Sequence, residues 1–330
     1  MDTYLKSIQA GLHDIFETTP EAVFLGEDVL DPYGGAFKAS VGLSSKYKER
    51  VFTTPISEAS IVGVANGMAL RGLKPIAEIM FGDFLTLCAD QLINHAAKFG
   101  KMYNNKVDVP IVVRTPMGGG RGYGPTHSQS IEKIFLGTPY LKVIAPSHFH
   151  NPGDILSYAV KEERIPVIFI EHKLLYPLTL HSKNVSFDEE IKGYPTAIHR
   201  NFDEKKYVPD ITIITYGGIS RLLLPLLEEL EQEEIRILSI LPSSINPLPV
   251  STIIEGARKT GKVIIIEEGT SGFNWGSEVA TVIYEQLLGE LKTPIARLSS
   301  AADIIPTSSL MEDKMLISKE RIKEVIFEIL

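Results

Sequence analysis

The stretch "TTPISEASIVGVANGMALRGLKPIAEIMFGDF", residues 53–84, decides the fold. Small and apolar residues run from Ala59 to Leu70, enough for a buried helix over 58–72. Gly72 and Pro75 then break it. "PIAEIM" reads as a short buried strand at 76–80, and a further helix follows over 84–100. A helix, a short strand and another helix in close succession are the signature of a parallel sheet covered on both faces. One residue is out of character. Glu58 stands at the mouth of a helix otherwise made for burial. Exposed amides and the helix dipole favour a carboxylate in a first turn, so a helix-start role is its plainest reading.

The same rhythm extends both ways. Leu5, Ile8, Leu12 and Ile15 recur at helical spacing and predict an amphipathic helix over 3–18. "AVFLGED" (22–28) is a buried strand ending in acids, and "DPYGGAFK" (31–38) is turn chemistry. Beyond residue 100 come a strand at 110–116, a glycine-rich loop, a short helix from 129, a strand at 141–146, a helix over 151–163 and a strand at 166–171. Residues 172–208 are polar and proline-punctuated, and read as a crossing segment or linker. Strands at 211–218, 235–240, 262–268 and 294–300 then alternate with helices from 219, at 250–259, at 276–288 and at 318–329. Two such sets predict an α/β protein with two three-layer, parallel-sheet domains. The 330 residues agree, because a single core rarely grows past about 250–300 residues.

Composition excludes several classes. A net charge of -8 argues against a nucleic-acid partner, which wants a basic surface. Cys88 is the only cysteine, so no internal disulfide or thiolate metal cluster is possible. It sits in the apolar run "FLTLCADQLI" and reads as packing. The N-terminus lacks a basic leader followed by an apolar core, and no apolar run approaches the ~20 residues that span a bilayer. A cytoplasmic chain with no membrane partner is the expectation. G-x-G-x-x-G, the Walker A loop, H-E-x-x-H and G-x-S-x-G are all absent. "GDF" at 82–84 with Asn104-Asn105 loosely echoes the Gly-Asp-Gly…Asn signature of magnesium-diphosphate sites. Its third position is Phe84, so no metal site is expected in this chain.

Three features can carry chemistry. Glu58 is the first. The second is "GGGRGYGPTHSQ" (118–129), where five glycines in seven residues let a backbone approach a ligand closely and His127 follows at the loop's end. The third is "MFGDF" (80–84), whose Met80 and Phe84 are core residues by composition but suit a flat heteroaromatic ring equally well.

Taken in order, Pro-Ile-Ser-Glu (55–58), Glu-Ile-Met-Phe-Gly-Asp-Phe (78–84), the glycine loop with His-Ser-Gln, and "LKVIAPS" (141–147) are specific. Together they resemble the beta subunit of the thiamine-diphosphate-dependent decarboxylase component of 2-oxo acid dehydrogenases, a transketolase-like family acting on pyruvate, branched-chain oxo acids or acetoin. The resemblance runs from about residue 4 to 329. It is densest over 23–172 and looser in "IIIEEGTSGFNWGSEVA" (264–280). It implies a pyrimidine-binding domain over 1–185, a linker over 186–208 and a C-terminal transketolase-like domain over 209–330. It implies that Glu58 hydrogen-bonds a ring nitrogen of the cofactor's aminopyrimidine and shares a proton with it. Met80 and Phe84 would pack on that ring, and His127 would face the substrate and assist acyl transfer to a lipoyl group, with Ser128 and Gln129 in support. Magnesium and the diphosphate would belong mainly to an alpha subunit. The chain would therefore act only within an alpha2-beta2 heterotetramer that also meets a lipoyl-bearing acyltransferase. Arg114, on the strand before the loop, suits a carboxylate partner inside the core rather than substrate. Arg121 and Tyr123 depart from the small residues usual in this loop. Two alternatives remain: a split transketolase-type carboligase, disfavoured by the lack of an Arg/Lys cluster beside the loop, and a non-catalytic docking subunit, disfavoured by intact Glu58 and His127.

Overall fold

Residues 2–330 are described in the computed structural model, and they divide into two compact units. The first comprises residues 2–117, 134–144 and 151–179; the second comprises 118–133, 145–150 and 180–330.

In the first unit the helices are α1 (Tyr4–Thr18), α2 (Leu43–Lys46), α3 (Glu58–Leu70), α4 (Ala97–Met102) and α5 (Pro152–Glu162). Its strands are β1 (Ala22–Gly26), β2 (Val51–Thr53), β3 (Lys74–Glu78), β4 (Val112–Met117), β5 (Lys142–Ile144) and β6 (Val167–His172). They lie in the order β5-β6-β4-β3-β1-β2, and every pairing is parallel. Thr3 caps α1, its Oγ1 accepting the Lys6 amide, and the helix buries Ile8, Leu12 and Ile15 at the spacing read from the sequence. It packs against α5, which Asn151 caps in the same way.

Register sets where chemistry can collect. Gly26 lies beside Glu78, and Glu78 beside Arg114. The C-terminal ends of β1 and β3 therefore reach one edge together, while β4 runs on to Met117. Glu27 and Met80 leave from that edge, which is where open parallel sheets bind ligands. The segment 54–57 carries the chain from the end of β2 to Glu58 at the start of α3.

The helix expected over 84–100 is broken into three. Gly82–Cys88 winds as tight 3₁₀ turns, Gln91–Ala96 widens into a π turn, and only Ala97–Met102 is α-helical. Asn66 meets the start of the π turn, its Nδ2 donating to the Gln91 carbonyl at 2.9 Å. The short helix expected from 129 is one turn, Glu132–Ile134, in the span where the chain passes from the second unit to the first.

The second unit carries β7 (Val185–Asp188), β8 (Thr196–Arg200), β9 (Ile211–Thr215), β10 (Ile237–Pro242), β11 (Ser244–Asn246), β12 (Val263–Thr270) and β13 (Ala296–Ser300). Its sheet runs β13-β12-β9-β10-β8-β7. The first four are mutually parallel, while β8 and β7 add an antiparallel edge. Helices α6 (Ser220–Gln232), α7 (Val250–Thr260), α8 (Trp275–Leu287), α9 (Ser309–Met315) and α10 (Lys319–Ile329) flank it. Ile213, Ile266, Leu223, Leu227 and Ile326 meet in one core cluster. The segment read as a crossing or linker therefore holds two strands. β7 is only half-buried, with Phe187 exposed, so its pattern carries no burial signal. No helix among the described residues is long and apolar enough to cross a membrane.

Candidate cofactor site

Glu58 opens α3 and is 6% exposed. Its neighbour Ser57 turns its hydroxyl to Ser60 rather than to an amide, and among the described residues no hydrogen bond reaches the Glu58 carboxyl. The carboxylate gains from the helix dipole but caps nothing, so the plain helix-start reading explains its position and not its burial. Glu27, just past β1, is buried too, and its Oε1 has no partner. Burial, together with the charges of Glu58 and Asp28, pushes the Glu27 carboxyl above its usual range. Burial and the same Glu58 charge push the Cys88 thiol up to about 12. Cys88 is thus an inert packing residue, as read from the sequence. Glu58 and Glu27 are thus two largely buried carboxyls close enough for the charge of one to act on the other.

Met80 and Phe84 are half-buried at the exit of β3. Phe84 meets Phe81 edge-on at 6.0 Å, and Phe81 meets Phe37 edge-on at 6.1 Å. The Lys173 ammonium lies 5.3 Å from the centre of the Phe81 ring. Gly82, between Phe81 and Phe84, leaves room for Met117, whose side chain a Cβ there would have to displace. The turn therefore presses against the end of β4 and presents a sulfur and an aromatic wall.

Arg114 pairs with carboxylates inside the core, as its place on β4 suggests. It is wholly buried and donates from Nε and Nη2 to the two oxygens of Glu171 at 2.8 and 2.7 Å, and from Nη1 to Glu78. The Tyr176 hydroxyl completes Glu171 at 2.8 Å, and the Ala36 amide donates to Glu78. Burial raises the Glu78 carboxyl above its usual range against the pull of Arg114. This network ties β3, β4 and β6 together just below the edge that bears Met80.

His127 belongs to the second unit, at the end of the 118–129 loop, whereas Glu58, Met80 and Phe84 belong to the first. The His127 ring is partly exposed, with Nδ1 2.9 Å from the Thr126 hydroxyl. Ser128 is buried and its hydroxyl has no hydrogen-bond partner among the described residues. Arg121 and Tyr123 engage each other, Nη1 to hydroxyl at 3.2 Å. Below the loop, Tyr216 donates to Glu132. Glu267 accepts the Gly276 amide at 2.9 Å, and burial raises its carboxyl to about 7. Sequence reasoning passed over Glu27, Glu78 and Glu171. The only signal for Glu27 was an acid directly after a buried strand.

Comparison with known proteins agrees with this architecture. The pyrimidine-binding domain of transketolase matches residues 3–179, and the transketolase C-terminal domain matches residues 202–322. A solved structure described as a split gene transketolase, inactive beta4 tetramer, superposes with a TM-score of 0.77 over 100% of this chain and 99% of its own, at 20% identity. The class is thus a two-domain α/β protein of the transketolase type. Among curated relatives, the 2-oxoisovalerate dehydrogenase subunit beta of Bacillus subtilis is 37% identical over 99% of this chain and 98% of its own length. The acetoin:2,6-dichlorophenolindophenol oxidoreductase subunit beta of Cupriavidus necator is 32% identical over 92% and 90%. The mitochondrial pyruvate dehydrogenase E1 component subunit beta-1 of Arabidopsis thaliana is 32% identical over 94% and 84%. The chain belongs to the family of 2-oxo acid dehydrogenase beta subunits.

Proposed function

We propose that this chain is the beta subunit of a 2-oxo acid dehydrogenase decarboxylase component. It acts with thiamine diphosphate on a pyruvate-like or branched-chain oxo acid and delivers the acyl group to a lipoyl arm. The observation that carries this reading is Glu58, 6% exposed and accepting no hydrogen bond among the described residues, beside Glu27, whose Oε1 is buried without a partner. These residues fit an aminopyrimidine, because a ring nitrogen that shares a proton satisfies a buried carboxyl that the fold itself leaves unpaired. Thiamine diphosphate, when bound, supplies the electron sink for loss of carbon dioxide. Glu58 holds the shared proton at the ring nitrogen, with Glu27 keeping the surroundings acidic. Met80 and Phe84 cover the flat ring and exclude water. Thr126 meets His127 Nδ1, and the His127 imidazole would move the proton during acyl transfer. An alpha subunit contributes magnesium and the diphosphate cradle in an alpha2-beta2 assembly, and a lipoyl-bearing acyltransferase receives the product. The subunit-beta names of the relatives support the alpha partner.

The test is decarboxylation by the chain co-expressed with an alpha-type subunit, with thiamine diphosphate, magnesium, a dye acceptor and a panel of oxo acids. Glu58→Gln should lower turnover by about 10²-fold or more, the scale of lost proton-transfer assistance, with the melting temperature held. A stable complex that binds cofactor but decarboxylates no oxo acid, while transferring two-carbon units between sugar phosphates, would replace this reading with the split carboligase. A complex that binds no cofactor would leave only a docking role.

A further inference from the structure

The glycine loop is pinned from below by two carboxylates that the chemistry above does not use. Glu268, on β12, accepts the Gly119 amide at 2.8 Å and the Ser130 hydroxyl at 3.1 Å on the same oxygen, Oε1. One atom thereby joins the two stems of the loop. Glu312, on α9 and 1% exposed, accepts the Gly120 amide on Oε1 at 2.9 Å and the Gly122 amide on Oε2 at 2.8 Å. Gly118, Gly120, Gly122 and Gly124 all have positive φ, from 67° to 96°. Their alternation turns amides inward into a concave, anion-binding nest. The loop lies flush on the segment that carries Glu312. A Cβ on Gly119 would meet Leu316 at 2.7 Å, and one on Gly124 would meet the Thr307 hydroxyl at 2.9 Å. The glycines are therefore required by the clamp as well as by the turn, and His127 lies between two pinned points, Gly122 and Ser130.

We propose that Glu312 and Glu268 are positioning residues that fill this nest as internal anions and hold the loop so that His127 presents one ring orientation for acyl transfer. The link to acyl transfer rests on the function proposed above; the clamp itself does not. Glu312→Gln keeps the shape but offers one carbonyl oxygen to two amide donors and turns an NH₂ group toward the other. Its control is Asp313→Asn, at the exposed neighbouring position on α9.

Two readouts separate the two parts. The first is trypsin cleavage after Arg121, exposed on the loop, in the purified full chain well below its melting temperature, followed by fragment mass. Loss of a charge-assisted contact of the usual strength should speed this cut about tenfold or more in Glu312→Gln and leave Asp313→Asn unchanged. The second is the assembled enzyme. Acyl transfer to a lipoyl acceptor should fall about tenfold, while dye-coupled decarboxylation and the KM for oxo acid stay within about twofold. An unchanged cleavage rate would overturn the clamp. Faster cleavage with unchanged acyl transfer would overturn the positioning role. Faster cleavage in a protein whose parent assembly decarboxylates nothing would refute the proposed function and leave the clamp standing. A general folding defect would show as equal loss in both partial reactions together with a lower melting temperature, and would also overturn the positioning role.

Discussion

Removing the Arg114 guanidinium tests how the edge of the first sheet is built. Arg114→Met keeps the length and apolar stem but deletes three buried donors, two to Glu171 and one to Glu78. Glu171 would keep only the Tyr176 hydroxyl, and Glu78 only the Ala36 amide. Two carboxyls at 0% and 1% exposure would then face each other with no cation between them. Breaking a buried ion pair on one side costs about 3–5 kcal/mol. Protonation of Glu78, whose carboxyl burial already raises, limits the cost to the lower half of that range near neutral pH. For a unit of this size each kcal/mol moves the melting temperature by about 2–4 °C, so the expected fall is roughly 10 °C. Thermal and denaturant unfolding of the purified chain, followed by circular dichroism, measure it. The triple variant Arg114→Met/Glu78→Gln/Glu171→Gln should recover at least half of the loss, because no charge is left buried. A fall below about 2 °C in the single variant, or a triple variant less stable than the single, would refute the idea that uncompensated charge sets the cost.

Two further outcomes follow from the geometry. Gly82→Ala should cost about 1–3 kcal/mol, because its Cβ must displace the Met117 side chain, and weaken cofactor binding through Phe84; equal melting temperatures for variant and parent would contradict this. Acid should loosen the second unit through its histidines. Burial holds His148 at about 3 and both His150 and His199 at about 4, so they stay neutral in the fold and charge on unfolding. Their stabilisation is complete above the unfolded value near 6.5 and is lost as pH falls toward 4. Glu267, raised to about 7, works against them, since its stabilisation is complete below its unfolded value and fades as pH rises through 7. The four groups together predict a loss of roughly 3 kcal/mol per pH unit around pH 5, read from denaturant midpoints. His199→Gln should remove about one proton from that slope, and a slope that does not change would sink the assignment.

Much of the first sheet was legible because a parallel strand buried on both faces is a short apolar run, and β1, β3, β4 and β6 all have that form. Arg114 was legible as a core ion-pair residue, since an arginine in "PIVVRTP" has nowhere else to go. β7 and β8 were not legible, because an edge hairpin with one wet face leaves a mixed, polar pattern. The three-way break of the 84–100 segment was hidden because the residue that meets its π turn, Asn66, lies on another helix. Glu27 was hidden for a similar reason. An acid after a strand is ordinary until β1, β2 and β3 place it near the start of α3. The loop's glycines were visible, but their clamp was not, for Glu312 stands 190 residues beyond Gly122.

The carboxyls of this chain divide by what their surroundings supply. Glu171 accepts three hydrogen bonds and Glu312 two, each from a group the fold places for it. Those acids complete structures and would be costly to lose. Glu58 and Glu27 are also buried, though at 6% and 8% exposure less completely, yet Glu58 accepts no hydrogen bond among the described residues and an oxygen of Glu27 lies unpartnered. Burying such a group without compensation opposes folding by about 1–3 kcal/mol, which the helix dipole offsets only in part at Glu58, so the isolated chain gains little from keeping them. Glu58→Gln and Glu27→Gln should therefore leave the isolated chain as stable or more stable, whereas the same change at Glu171 should weaken it. That opposite sign separates an acid kept for a ligand's proton from one kept for the fold, and it requires no turnover to measure.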